Sequence, residues 1–386
     1  MRPDSYLQSH FIRMETEIKK SDFVLNPYMK SNDLRATYQI INTVVPYICL
    51  WILAVKVAPI SIWFLPPIMV MMTLFSLRCF SLMHDCGHNS MFTSKKVNRF
   101  VGFCLGIINA IPQYPWSRGH AYHHKTNGDW ERYRGVGAFL STAEFSKLSS
   151  FDQTIYELTR HPLMALPGGF FYLAVKPRLA LVLGLYGLTK HLFACQQQKP
   201  GMKLAQVFAT YESRNWYSEA EFWDLLLNNI VVISSCIILS NLLGAGFFLS
   251  VYAITLTCSA AVFMYVFFVQ HNYEGSYAHK TAGWDYLTAA IEGSSYLELP
   301  TVFKWFSADI GYHNIHHLSE RIPNYHLEAC HRANSHLLVK SKTLRMQDMV
   351  GCFKFILWDA PSNTLVSVDS FRQNDRSQVG FESQSI

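Results

Sequence analysis

Four apolar blocks, each about as long as a helix that crosses a hydrocarbon core, constrain this chain more than anything else in it. They run from about Ala36 to Val57, Ile60 to Phe80, Phe222 to Leu243 and Phe247 to Gln270. Inside a bilayer no water is at hand to satisfy backbone N–H and C=O groups, so segments of this length must be helices. Ala58 and Pro59 join the first two blocks tightly, and Gly244 and Gly246 join the last two. The expected fold is all-α and integral to a membrane, with four transmembrane helices in two hairpins. Composition agrees, since 50% of residues are hydrophobic and 16% charged, against roughly 25% charged in a soluble domain.

Two shorter apolar stretches separate the hairpins: Val101 to Ile111, and Pro162 to Leu188, which Lys176, Pro177 and Arg178 interrupt. Each uninterrupted piece is too short to cross, which predicts interfacial or re-entrant segments. Arg78, the one charge in the second block, lies near its end and is expected to snorkel to the headgroups. Arg2, Arg13, Lys19, Lys20, Lys30 and Arg35 crowd the N-terminal segment 1–35, whereas the turn at Pro59 has only Lys56 nearby. The positive-inside bias therefore puts the N-terminus in the cytosol, and four crossings return the C-terminus there. Residues 36–361 form the expected body, and the polar stretch 362–386, with little to bury, is expected to be a flexible tail. No charged start leads into a short apolar run with a small-residue cleavage site, so no cleaved leader is expected. The net charge is +6, but no Lys/Arg run is present, which argues against a nucleic-acid partner. The nine cysteines contain no Cys-x-x-Cys pair, which predicts reduced thiols and no thiolate metal site.

Chemistry is carried by histidines. Half of the 16 fall in three short boxes: His84 and His88 in HDCGH, His120, His123 and His124 in HAYHH, and His313, His316 and His317 in HNIHH. At this histidine content, His-x-x-His-His arises by chance about 0.03 times in such a chain, so two copies are no accident. Spacings of three and four residues put imidazoles on one helix face, from which they can converge on a metal. Ligands of one site must also share one side of the bilayer. With four crossings, an even number separates every pair of boxes, and all three emerge on the cytosolic face. A full crossing by 162–188 would strand the third box.

Eight imidazoles exceed what one ion takes by a factor of about two, so two metals are indicated. Nitrogen ligands suit iron, copper, nickel or zinc alike. A site at the ends of membrane helices is reached from the acyl region, and unactivated carbon–hydrogen bonds need an oxidant, for which iron with O2 is the usual source. A pair of irons is therefore the expected cofactor. Bilayer haems, held by one His from each of two facing helices, fit the adjacent pairs His123–His124 and His316–His317 poorly. The string LPGG at Leu166 to Gly169 lacks the histidine of the HPGG of cytochrome b5-like domains, and no acidic soluble domain surrounds it. No Gly-x-Gly-x-x-Gly follows a strand either, so electrons are expected from a separate protein.

HDCGHNSMF, HAYHHKTNGDW and GYHNIHHLSERIPNYHL resemble the three histidine boxes of membrane fatty acid desaturases. The resemblance runs from about Leu34 to Ala333. The stretch Gln270 to Tyr325 is the most specific, and is similar to bacterial acyl-lipid desaturases of the omega-6 (Δ12) type. It implies a four-span body with a cytosolic helical cap in the bacterial cytoplasmic membrane, two irons, an acyl-lipid substrate and a ferredoxin-like donor. It also implies that two adjacent methylenes become a cis double bond, using O2 and two electrons. Carried over by position, the ligands would be His84, His88, His120, His123, His124, His313, His316 and His317, with His271 as a ninth and His279 as the weaker alternative for that place. The same ligand set serves hydroxylases and ketolases of lipids, alkanes or carotenoids, which form the competing reading; a protein that only stores or senses metal would be expected to lack ligands.

Asp85, Asn89 and Asn314 lie inside or beside the boxes and are candidates to orient imidazoles through the second ring nitrogen, as are Asp129, Glu274, Asp309 and Glu320. A kinked apolar tunnel from the bilayer is expected to select the reacting carbons. Trp116, Trp284, Tyr296, Trp305 and Phe306 are candidate wall residues, though packing or a membrane belt is the commoner role for each. Arg118, Lys125, Arg132 and Arg134 are candidates to meet lipid headgroups or an acidic donor, with an ordinary solvated surface as the alternative. The sequence departs from the family in the polar insertion around Gln196 to Glu221 and in the extension after Leu357. Neither touches a box.

Overall fold

In the structure, a computed structural model that describes residues 18–135 and 137–374, the first long helix α1 (Asp33–Val57) starts where Asn32 accepts the backbone N–H of Arg35. Asp33 accepts from the N–H and hydroxyl of Thr93, at 2.8 and 2.7 Å, and so ties this helix start to the loop after the first box. The second helix, α2 (Leu65–Gly87), runs seven residues beyond the expected end at Phe80, because Ser81 to Cys86 keep packing against the body. His84 therefore sits on the last turn of one continuous helix. A half-length pair, α3 (Lys95–Ile108) and α4 (Gln113–Thr126), folds back beside α2 and carries the second box.

Pro162 to Leu188 differs from expectation. The two pieces join into one helical run, Pro162–Gln198, long and apolar enough to be a fifth candidate span. Continuity across Pro177 has a local cause. Proline cannot donate to the carbonyl four residues back, which is that of Leu173, and a single wider turn over Phe171–Val175 opens the helix there. The Arg178 guanidinium donates to the freed Leu173 carbonyl at 3.1 Å and also to that of Ala110. The part of this run from Lys176 to Gln198 is α5.

The second hairpin is α6 (Glu219–Leu243) and α7 (Ala245–Val269), joined through Gly244 at a φ of 86° that disfavours residues with a Cβ. Together with α1, α2 and the Pro162–Gln198 run, these are the five candidate spans among the described residues. Burial is greatest in α2 and α7, the inner pair.

Contacts set the level of the fifth run. Gly169 packs so close to α7 that a Cβ there would lie 2.8 Å from the Ala260 Cβ, about 14 Å along the axis from the end of α7. The Pro177 carbonyl accepts from Asn229, about 15 Å into α6. The Gly184 carbonyl accepts from Tyr211 at 2.9 Å, and Trp216, just ahead of α6, fills the space at Gly184. The run thus goes down beside α7 and is back by Gly184 at the level where α6 begins.

Beyond α7 the cap carries the third box on α8 (His313–Leu318), followed by α9 (Asn324–Ala333). The cap is not purely helical. It holds two small sheets, one in the order β1 (Leu140–Ser141), β4 (Phe355–Asp359), β5 (Thr364–Ser367), and one pairing β2 (Tyr296–Glu298) with β3 (Thr343–Arg345). β1 runs parallel to β4, β5 antiparallel to β4, and β2 parallel to β3.

Two expected boundaries move as a result. The stretch from 362 is not loose throughout: β5 pairs along β4, with Leu365 and Val368 buried beside Trp358, because the apolar residues of TLVSV face the cap core. Residues 375–386 of the expected tail lie outside the described residues. At the other end, Phe23 and Leu25 bury against Ile315, Leu318 and Leu327, so residues 18–32 seal the cap; Arg2 and Arg13 lie outside the described residues. Arg78 does not snorkel. It is buried, donating to Thr43 at 3.0 Å and to the Trp305 carbonyl, with its guanidinium over the Trp305 ring.

Candidate metal centre

Nine imidazoles meet where α2, α4 and α8 converge with the residues just after α7, and they divide into two groups. His84, His88, His120, His124 and His316 form one; His123, His271, His313 and His317 form the other. Within each group one nitrogen from every ring lies within 4.8 Å of all the others.

Helix geometry explains the division. Residues four apart are offset by only about 40° around the axis, and each such pair shares a centre. The Nε2 atoms of His84 and His88 are 3.3 Å apart, those of His120 and His124 3.0 Å, and those of His313 and His317 3.2 Å. The histidine three residues after the first in each His-x-x-His-His box swings the other way, so His123 joins the second group and His316 the first. The boxes are interleaved: the first gives its pair to one centre, and each of the other two gives a pair to one centre and a single ring to the other. Two nitrogens bound at about 2.1 Å to one ion lie about 3.0–3.4 Å apart for angles between 90° and tetrahedral. The observed spacings are those of ligands around an ion.

Ring orientation points the same way. The Nδ1 of His84 faces Asp85 at 3.1 Å, that of His88 faces Glu320 at 3.2 Å, and that of His271 faces the Gly293 carbonyl at 2.9 Å. Each partner accepts, so each Nδ1 carries the proton and leaves Nε2 bare. The bare Nε2 of His271 then faces those of His123 and His313 at 3.1 and 2.9 Å. Converging lone pairs repel unless a cation lies among them. The Nδ1 atoms of His123, His124 and His313, and both nitrogens of His316, are buried with no partner among the described residues. A buried nitrogen without a partner costs about 1–3 kcal/mol, which a metal at His316 would offset. Burial, with help from neighbouring imidazoles, holds His120, His123, His124, His313, His316 and His317 well below the usual imidazole range. It pushes His271 down to about 4. These rings stay neutral, the form that binds metal.

Of the expected orienting groups, Asp85 and Glu320 reach the rings. The Glu320 carboxyl is held below its ordinary range chiefly by the hydrogen bond from His88. The others do not reach them. Asn89 sits in an exposed turn at φ 56°, Asn314 braces box three through Ser341 and the Ile315 N–H, and Asp129 accepts from the Thr281 hydroxyl. Glu274 is exposed and Asp309 lies on the Arg78 side of the cap. His279 turns to the Lys280 carbonyl and stays outside both groups, so of the two alternatives it is His271 that arrives. Sequence reasoning missed Asn324, whose N–H and amide each donate to Asp85 at 2.8 Å, and Gln39, which donates to Asn324 at 2.7 Å. It also missed the Gly293 carbonyl. No spacing rule marks any of the three.

A cavity of about 550 Å³ opens beside the rings, with His120, His123 and His271 at its inner end. Trp116 stacks on His120 at 4.8 Å and joins Tyr172, Phe263 and Phe267 in the wall. Among the expected wall residues only Trp116 lines it. Trp284 donates to the Asn127 carbonyl, Tyr296 stacks on Tyr312, and Trp305 and Phe306 pack on Phe75. Arg118 reaches the cavity but is paired with Glu221 at 2.7 Å, and Arg134 pairs with Glu144 at 2.9 Å.

Long apolar helices with two histidine groups at their ends, able to hold metal beside an apolar cavity, define a membrane protein with a histidine-rich metal-binding site. The signature of the family described as fatty acid desaturase matches residues 60–348, well over half of the chain. The chain belongs to that family and is an oxidoreductase of the desaturase class. It is 28% identical to a fatty acid desaturase of Bacillus subtilis over 85% of this chain and 84% of that protein. An endoplasmic-reticulum omega-3 fatty acid desaturase of Vigna radiata is 27% identical over 66% of this chain, which spans 61% of that protein. A chloroplastic sn-2 acyl-lipid omega-3 desaturase (ferredoxin) of Helianthus annuus is 25% identical over 64% of this chain and 50% of that protein.

Proposed function

We propose that this chain is an acyl-lipid desaturase of the omega-6 (Δ12) type that introduces a cis double bond with O2 and two electrons. The observation that carries the reading is the interleaved set of five and four imidazoles with bare Nε2 atoms at the inner end of an apolar cavity. His84, His88, His120, His124 and His316 would hold one iron, and His123, His271, His313 and His317 the other. With O2, that pair supplies an oxidant able to remove hydrogen from unactivated methylenes.

The protein's own part is positioning and dryness. Asp85 and Glu320 keep two rings turned, the cavity wall keeps water from the acyl chain, and Trp116 beside His120 limits which carbons come close. The omega-6 assignment rests on the stretch Gln270 to Tyr325. A ferredoxin-like donor is proposed because the Helianthus relative is named for one.

Four crossings are proposed in place of five. His124 and His317 stack at 4.1 Å, yet three candidate spans separate them in sequence. Three full crossings would leave them on opposite sides, so one of the three must return, and the Pro162–Gln198 run begins just after Arg160, which donates to the Gly137 carbonyl of the cap, and by Gly184 is back at the start of α6. The N-terminal cations favour the cytosol for that face, and the bacterial cytoplasmic membrane is the proposed location.

The test is expression of the full chain, with iron and a working ferredoxin system, in a host that lacks polyunsaturated lipids. Gas chromatography with double-bond localisation reads the result. A new diene with its second bond beyond a pre-existing one is expected at the omega-6 position. A bond at the omega-3 position would overturn the omega-6 assignment, and a hydroxy or keto product would move the chain to the oxygenase reading.

A further inference from the structure

A second, smaller cavity of about 40 Å³ adjoins the one beside the rings. His123, Tyr133, Gly135, Phe267 and His271 line both, so the two meet at the group formed by His123, His271, His313 and His317. Their linings differ in kind. Trp116, Phe263 and Phe267 wall the larger cavity near the rings, whereas Asn127, Arg134, Asn272, Ser276 and Tyr277 line the smaller one. The Arg134 guanidinium is partly exposed and pairs with Glu144 at 2.9 Å, which carries this polar lining out to the surface of the cap. One water needs about 10–15 Å³ of such a cavity, so this one has room for about three.

Polar atoms that water would satisfy stand in this lining. Asn127 directs both amide hydrogens to the carbonyls of Ala289 and Gly293, at 3.1 Å each, and its Oδ1 has no partner among the described residues. The Tyr133 hydroxyl has none among them either, and its ring lies 5.0 Å from that of His123, whose buried Nδ1 is likewise without a partner. The reaction requires a route of this kind. Balanced, it is R–CH2–CH2–R + O2 + 2 e− + 2 H+ → R–CH=CH–R + 2 H2O: the donor brings the electrons, two protons must enter and two waters must leave. An acyl chain in the larger cavity closes that side with hydrocarbon, where water and charge find no hydrogen-bond partners. The smaller cavity reaches the same histidines from the polar side of the cap.

We propose that the smaller cavity is the water and proton passage of the metal centre, running between the His123 and His271 rings and the Arg134–Glu144 pair, with the Tyr133 hydroxyl at its inner end relaying protons inward from the water beside it. The proposal rests on the desaturase reading for its chemistry, and its first test needs no turnover. A structure of the iron-loaded, full-length chain at a resolution that shows water is expected to hold at least two ordered waters in this cavity, one of them bonded to the Tyr133 hydroxyl. A dry cavity, or one filled by detergent or lipid, would overturn the proposal. Tyr133→Phe then removes the hydroxyl and keeps the ring. It is expected to retain about two irons per chain and the KM for the acyl lipid, while kcat falls about tenfold or more and the solvent deuterium isotope effect on kcat rises. An isotope effect equal to that of the wild type would overturn the proposal whatever kcat does, because a packing defect slows turnover without making proton transfer limiting. Should Tyr133→Phe not fold, the water structure decides alone. Ordered waters in place with no desaturated product would tell against the desaturase reading and leave the passage standing.

Discussion

Asp85 is the acidic group on which the first histidine cluster depends most. Its Oδ1 faces His84 Nδ1 at 3.1 Å and its Oδ2 accepts two donors of Asn324, each at 2.8 Å, with the side chain almost wholly buried. In Asp85→Asn one oxygen becomes an NH2 group, which must face either the His84 N–H or the two Asn324 donors. One buried donor then loses its acceptor, at a cost of about 1–3 kcal/mol in the folded state. His84 is also freed to rotate or change tautomer, and loss of such an orienting partner typically lowers metal affinity about 10- to 100-fold. Affinity and stability are linked: iron at a hundred times its Kd contributes about 2.7 kcal/mol to the folded state, and a hundredfold weaker Kd removes most of that. Iron binding by the purified chain, and melting in detergent with and without iron, measure both. Asp85→Asn is expected to bind one iron at least tenfold more weakly and to gain less melting temperature from iron, while Asp129→Asn leaves both unchanged. Wild-type affinity and an unchanged iron-dependent shift in Asp85→Asn would refute the reasoning.

Three further outcomes follow from the geometry. His271→Ala should lose about one of two bound irons and the activity, whereas His279→Ala should keep both; equal behaviour of the two variants would contradict the assignment. Burial pushes the Asp309 carboxyl up to about 6 from its usual 3.8, so the fold favours its protonated form. That contribution is full below about pH 4 and lost as pH rises through about 6, at most about 3 kcal/mol. Melting in detergent should therefore fall over that window in the wild type more than in Asp309→Asn, and equal slopes would refute it. Gly184→Ala should displace Trp216, and with it Arg214, Asn215 and Tyr217 of the polar insertion, which line the larger cavity, at a cost of about 1–3 kcal/mol, read as a lower melting temperature and a raised KM for the acyl lipid. An unchanged KM would show that the insertion does not shape that cavity.

Much of this architecture was legible because its signals are local. Helix length and apolar run length match, so α1, α2, α6 and α7 fall close to their expected positions. The boxes needed only the helical repeat to be recognised. What spacing did not reveal was which boxes bring their pairs to the same centre, since that depends on the approach of α8 to α4, set by tertiary packing. The unbroken helix through Pro177 was hidden for a similar reason. Lys-Pro-Arg reads as a break until Arg178 is seen satisfying the carbonyl that the proline leaves free. Thr364 to Ser367 looked too polar and short to bury, and only the neighbouring strand β4 makes a strand of it. Asn324 and the Gly293 carbonyl act on partners distant from them in sequence, Asp85 and His271, which no local pattern encodes.

The most direct test of the central claim is the iron content of the full-length chain, purified in detergent after growth with iron and measured per polypeptide by mass spectrometry. The interleaved histidine groups predict about two irons per chain, falling to about one in His316→Ala or His271→Ala. A single iron in the wild type, or two retained in both variants, would contradict the account.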